Sequence, residues 1–101
     1  MPTRVTSAEQ IDGTFVPRVR TSVADVEIDG EAVLYDETRA AVHVLNDTAA
    51  LVWACCDGSD SVAAIAADIA AAFRLDNDQV LNDVVDVVQR FAREGLLVGI
   101  N

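Results

Sequence analysis

The chain has 101 residues and a mass of 10.8 kDa, which suits one domain with a real hydrophobic core and excludes a catalytic domain joined to a regulatory one. Apolar residues make up 51% of the sequence, yet the aromatics are few (Phe15, Tyr35, Trp53, Phe73, Phe91), so Ala, Val, Leu and Ile must fill the core. Seventeen acids against seven bases leave a formal charge of −10; such a surface repels phosphates over roughly 8 Å at physiological salt, which argues against nucleic acid and anionic membranes as ligands.

Residues 1–15 mix polar and small side chains without a sustained period and read as a flexible N-terminal tail, with the folded unit at 16–101. Met1-Pro2-Thr3-Arg4 is not followed by the apolar stretch of a secretory signal. The longest unbroken apolar run, Ala49 to Cys56, is far short of the ~20 residues of a membrane span, so a cytoplasmic location is expected.

From Val23 the pattern alternates. Val23 to Ile28 and Glu31 to Tyr35 are two β-like runs around Asp29-Gly30, the dipeptide favoured by a type I′ hairpin turn. Asp36 to Arg39 form a polar break, and Ala40 to Leu45 a third run, which together predict a three-stranded antiparallel meander. After Leu45 the period changes to 3.6. Asn46, Asp47 and Thr48 can each cap a short buried helix that ends near Asp57-Gly58. Ser59, Asp60 and Ser61 can cap a second, in which Val62, Ile65, Ile69 and Phe73 recur on one face among alanines. Asp76, Asn77 and Asp78 can cap a third that runs to Glu94 and stops at Gly95; Leu96-Leu97-Val98 then reads as a short wing. The order predicts an α+β, winged-helix-like domain: a three-stranded antiparallel meander, three helices and a C-terminal wing.

The sequence carries no phosphate loop, dinucleotide fingerprint, H-E-x-x-H or G-x-S-x-G motif. Cys55 and Cys56 are adjacent, which is not the spacing of a disulfide framework, zinc site or C-x-x-C redox centre. His43 lies in a different element from both, and nothing nominates an orienting acid or anion hole beside it. No catalytic residue, metal site or cofactor is expected.

The third helix is more informative. At 100° per residue Val80, Val84, Val87 and Phe91 form one stripe, and Leu81, Val85, Val88 and Ala92 a second, an apolar arc of about 160°. One stripe suffices to face the core. The second either lies inside the domain or walls a groove, and a meander leaves an unpaired strand edge that can receive an extended peptide.

Val33-Leu34-Tyr35-Asp36, then L-N-x-T-A-x-x-x-W-x-x-x-D-G from Leu45 to Gly58, the Ala-rich second helix, Asp83-Val84 and Gly95-Leu96-Leu97 together resemble the PqqD family over Val16 to Val98. The resemblance implies a non-catalytic domain that binds the leader of a ribosomally made precursor peptide by strand addition and presents it to a modifying enzyme, such as a radical SAM maturase, a cyclase or a leader peptidase. It also implies the contact residues: Ala40, Ala41, Val42, His43 and Val44 on the third strand, and Leu81, Val85, Val88 and Ala92 on the third helix. Leu96-Leu97 stands where PqqD proper tends to have a Trp, which points to the broader PqqD-like group. A monomer or weak dimer is expected. Two other functions fit a domain of this shape: a winged-helix transcription factor, and an accessory subunit that stabilises a partner enzyme. Against the first, the third helix holds Asp78, Asp83, Asp86 and Glu94 against Arg90 and Arg93, the wrong sign for a major groove.

Overall fold

A computed structural model describes residues 7–99. Its elements follow the expected order: β1 (Val23–Ile28), β2 (Glu31–Asp36), β3 (Ala41–Leu45), α1 (Asp47–Cys55), α2 (Val62–Phe73) and α3 (Asn77–Arg93). The sheet is antiparallel in the order β1-β2-β3. Ile28 pairs with Glu31, so the first hairpin has a two-residue loop, and both loop residues have positive φ, Asp29 at 52° and Gly30 at 81°. That is the type I′ geometry the Asp-Gly pair predicts.

Each helix starts where a short polar side chain satisfies a free backbone N–H. Asn46 accepts from Ala49 N at 2.8 Å, Ser61 from Ala64 N at 3.1 Å and Asp76 from Asp78 N at 2.8 Å. α2 ends differently from the other two helices, on Arg74 in the left-handed region with φ 55°. After α3 the described residues form no regular wing strand. Leu97 makes an isolated antiparallel bridge with Val19, and Leu96 and Leu97 turn inward as fully buried core residues.

The core lies between the inner sheet face and the three helices, built from Leu34, Leu45, Val52, Trp53, Val62, Ile65, Val84, Val88, Phe91 and their neighbours. Trp53 meets Phe91 edge to face, with centroids 5.3 Å apart and planes at 87°. This arrangement gains attraction beyond the area buried.

One expectation is corrected. The segment read as a loose tail, residues 1–15, packs into the domain over its described part. Ser7 to Gln10 close a single 3-10 turn, Ala8 and Ile11 are only 6% and 4% exposed, and Gly13 O and Phe15 O accept from Ala63 N and Val62 N at 2.9 and 2.8 Å. Residues 1–6 of that tail lie outside the described residues. Among the described residues no helix is long and apolar enough to cross a membrane.

Candidate functional site

A three-stranded meander has two edges, and they are unequal. β1 carries Asp25 and Glu27 at alternate positions, the kind of charge that discourages another strand from pairing. β3 reads Ala41-Val42-His43-Val44-Leu45 and carries no acid. In an antiparallel pair every second residue directs its N–H and C=O away from the partner, so β3 offers backbone donors and acceptors along its free side. Its parity is now clear. Val42 and Val44 are 62% and 54% exposed on the outer sheet face, whereas Leu45 is 5% exposed and Ala41 and His43 half-buried toward the helices. Ala40, expected to begin the strand, instead closes the preceding turn with φ 51°.

The C-terminal end of α3 is tied to the start of β3. His43 Nδ1 lies 3.2 Å from Glu94 Oε2, and Arg39 Nη1 donates to Glu94 O at 2.8 Å. That carboxylate oxygen is buried and has no other polar contact among the described residues. Glu94 shares a helix stripe with Arg90, Val87 and Asp83, which stand four, seven and eleven residues before it. At its C-terminal end this stripe meets β3 through Glu94 and His43, and at its other end Asp83 lines a cleft with Asp47 and Thr48, just past the end of the strand. At 1.5 Å per residue it extends ~16 Å, about the length of a five-residue strand.

The second apolar stripe of α3 points the other way. Val88 and Ala92 are 0% and 4% exposed, and Leu81 and Val85 are half-buried. α3 packs there against the N-terminal 3-10 turn, Arg93 Nε reaches Glu9 Oε1 at 3.8 Å, and a Cβ at Gly13 would sit 3.9 Å from Leu81 Cδ1. Of the expected helix contacts, Leu81 lies near the chain's own N-terminal segment, Val88 and Ala92 are buried in the core, and Val85 is half-buried against it.

Past Leu45 the groove opens into a cleft of about 580 Å³ between the first turns of α1 and α3 and the end of α2. Leu51, Ile69, Phe73, Leu75, Val80 and Val84 make its apolar wall, and Asp47, Thr48 and Asp83 its polar rim. Leu51, Phe73 and Leu75 are among the largest exposed apolar side chains of the domain. Periodicity assigned Phe73 to the core face of α2, but the helix end overhangs the cleft. The alternation of Leu75 with the cap Asp76 gave no signal at all.

The surroundings of the two cysteines disfavour the thiolate. Burial, reinforced by Cys55 and Asp57, pushes the Cys56 thiol up to about 12, and its Sγ donates to Val52 O at 3.2 Å. Burial also raises Cys55, with Asp60, Asp68 and Asp57 adding to the effect. Thiolates are the nucleophilic and metal-binding form, and both sites oppose them. Among the described residues no three His, Cys, Asp or Glu side chains gather as metal ligands would.

The sequence matches the family model described as coenzyme PQQ synthesis protein D (PqqD) over residues 31–97. No match was found among curated proteins. Three solved structures share the fold. One is TbiB1 in complex with the TbiA(beta) leader peptide, with a TM-score of 0.72, 23% identity and coverage of 81% of this chain and 95% of that one. Another is lasso peptide synthetase B1 complexed with the leader peptide, at 0.73 and 23%, covering 83% and 99%. The third is the PqqD truncation of Methylobacterium extorquens PqqCD, described as a stand-alone recognition element for ribosomally synthesised, post-translationally modified peptides, at 0.77 and 21%, covering 91% and 98%.

Proposed function

The chain belongs to the PqqD family, and from that premise we propose that it is a peptide-binding adaptor, which holds the leader of a ribosomally made precursor by strand addition and presents the rest to a modifying enzyme. The observation that carries this reading is the asymmetry of the sheet. One edge is guarded by Asp25 and Glu27, whereas the unguarded edge, β3, is tied at His43 to the end of α3 and is followed directly by Asp47 and Thr48 of an apolar cleft. Two of the fold's relatives were solved with a leader peptide bound, which supports the same use here.

On this reading Ala41, Val42, His43 and Val44 supply backbone pairing, and the helix contacts are Asp83, Val87 and Arg90 rather than the stripe beneath the N-terminal turn. Backbone pairing orients the peptide, while alternate side chains reaching the groove select it. Those facing the other way extend the outer sheet face, where Val26, Ile28, Tyr35, Val42 and Val44 are already exposed. The modifying enzyme would meet this composite face, with the leader as its fourth strand. The adaptor itself performs no chemistry.

The test is a titration of isotopically labelled protein with synthetic leaders from short open reading frames encoded beside it. Amide shifts concentrated in Ala41–Leu45 and along Asp83 to Glu94 are expected. Saturable binding that leaves the β3 amides unmoved would remove strand addition.

A further inference from the structure

We propose that the cleft at the end of β3 selects a peptide segment in which a large apolar side chain stands next to Lys or Arg. The inference rests on the strand-addition reading for its placement and on the cleft for its chemistry. The wall formed by Leu51, Phe73 and Leu75 is exposed apolar surface inside a concavity. A solvated wall of this kind gains from covering by an apolar side chain.

The rim adds the second requirement. Asp47 and Asp83 both line the cleft, from α1 and α3, and neither is ion-paired among the described residues, whose ion pairs are Glu94 with His43 and Arg90, and Glu9 with Arg93. Asp47 has a structural reason to be acidic, because it sits in the first turn of α1, where the helix dipole favours negative charge. Asp83 stands well inside α3 and has no such reason. An apolar ligand that covered both carboxylates without a cation would strip them of water at a cost, whereas a ligand with an ammonium or guanidinium turns that cost into attraction. The overall charge of −10 acts in the same direction at longer range.

Position gives the order of events along the peptide. β3 ends at Leu45, Asn46 caps α1, and Asp47 already belongs to the cleft. The selected pair is therefore at the end of the docked strand that passes Leu45, and the paired stretch lies over Ala41–Leu45.

The probe is a messenger-RNA display library of random 16-residue peptides, selected on the wild-type chain and on the double variant Asp47→Asn/Asp83→Asn. Wild type should enrich bulky apolar residues adjacent to Lys or Arg. The double variant should enrich the apolar residues and lose the basic ones. For one enriched peptide, replacing its Lys by Gln should weaken binding at least tenfold on wild type and less than twofold on the double variant, a coupling of the size that interacting groups show. Phe73→Ala, a change at an exposed position, should weaken all selected peptides while keeping the basic preference. Enrichment without basic residues, or equal loss on both proteins, overturns the proposal. Basic-apolar peptides that shift cleft amides but not those of Ala41–Leu45 would leave the cleft assignment standing and overturn strand addition. A selection that enriches nothing overturns both.

Discussion

Single side chains hold the ends of this fold together. Trp53 closes the core against Phe91, and Trp53→Ala should lower unfolding free energy by about 3–5 kcal/mol in a denaturant titration, as loss of a large buried aromatic does. Gly95 has φ 74°, and a Cβ there would strike the Arg39 guanidinium, whose Nη1 bonds Glu94 O while Arg20 Nε bonds Gly95 O at 3.0 Å. These two arginines satisfy carbonyls at the negative end of α3. Gly95→Ala should therefore cost about 2–3 kcal/mol, the left-handed penalty plus the displaced hydrogen bond. Gly30→Ala has φ 81° but nothing within 4 Å, and should cost only the first part, about 1–2 kcal/mol. Equal melting temperatures for the two variants would show that Arg39 does not hold the helix end. Cys56 makes stability depend on alkaline pH. Its thiol moves from an ordinary 9.0 to about 12 in the folded chain, with burial the first cause. Its contribution is thus complete below pH 9 and is lost as pH rises from there toward 12, at up to ~1.4 kcal/mol per unit. Cys56→Ala should flatten the pH profile of unfolding between pH 9 and 11; an unchanged slope would assign the loss to other groups.

At the scale of elements, α3 serves three neighbours at once, and this is where sequence reading stopped short. Its 3.6 period identified both apolar stripes, and the polar caps at Asn46, Ser61 and Asp76 fixed where the helices begin. Periodicity says which residues share a face but not what covers it. The covering piece, Ala8 and Ile11, is two isolated apolar residues in a polar stretch with no period of its own, so its packing is purely tertiary information. The same gap hid the cleft, because Phe73 looks like the last core position of α2 until the direction of α3 is known. The strand itself was legible, because alternation gave β3, whereas the choice between the two edges came from the family resemblance and not from the acids of β1. The flanks of α3 can be separated experimentally. Val85→Asp should lower stability by about 1–3 kcal/mol, through a carboxylate placed against the core, and change leader affinity of the folded protein by less than twofold. Arg90→Gln, at an exposed position on the same helix face as Glu94, gives up only an exposed i,i+4 ion pair, so it should lower stability by under ~1 kcal/mol and change leader affinity more than twofold. A folded Val85→Asp protein that no longer binds would return the second stripe to the peptide site.

For the molecule as a whole, salt should act on stability and on binding with opposite sign. The seven bases cannot balance seventeen acids, and the ion contacts among the described residues involve only Glu9 and Glu94 on the acidic side. The remaining acids repel one another more strongly in the folded chain than in an expanded one, which is a standing destabilisation that screening relieves. Raising ionic strength shortens the Debye length from ~30 Å at 0.01 M to ~8 Å at 0.15 M. A gain of about 1 kcal/mol would raise the melting temperature by ~4–8 °C in a domain of this size. Association with a basic peptide draws on the same field and should weaken over that interval. Thermal melts and peptide titrations in one series of NaCl concentrations read both effects. Parallel losses would mean that salt weakens the fold first and binding through it, whereas a rising melting temperature with falling affinity separates the field that strains the domain from the field that attracts its ligand.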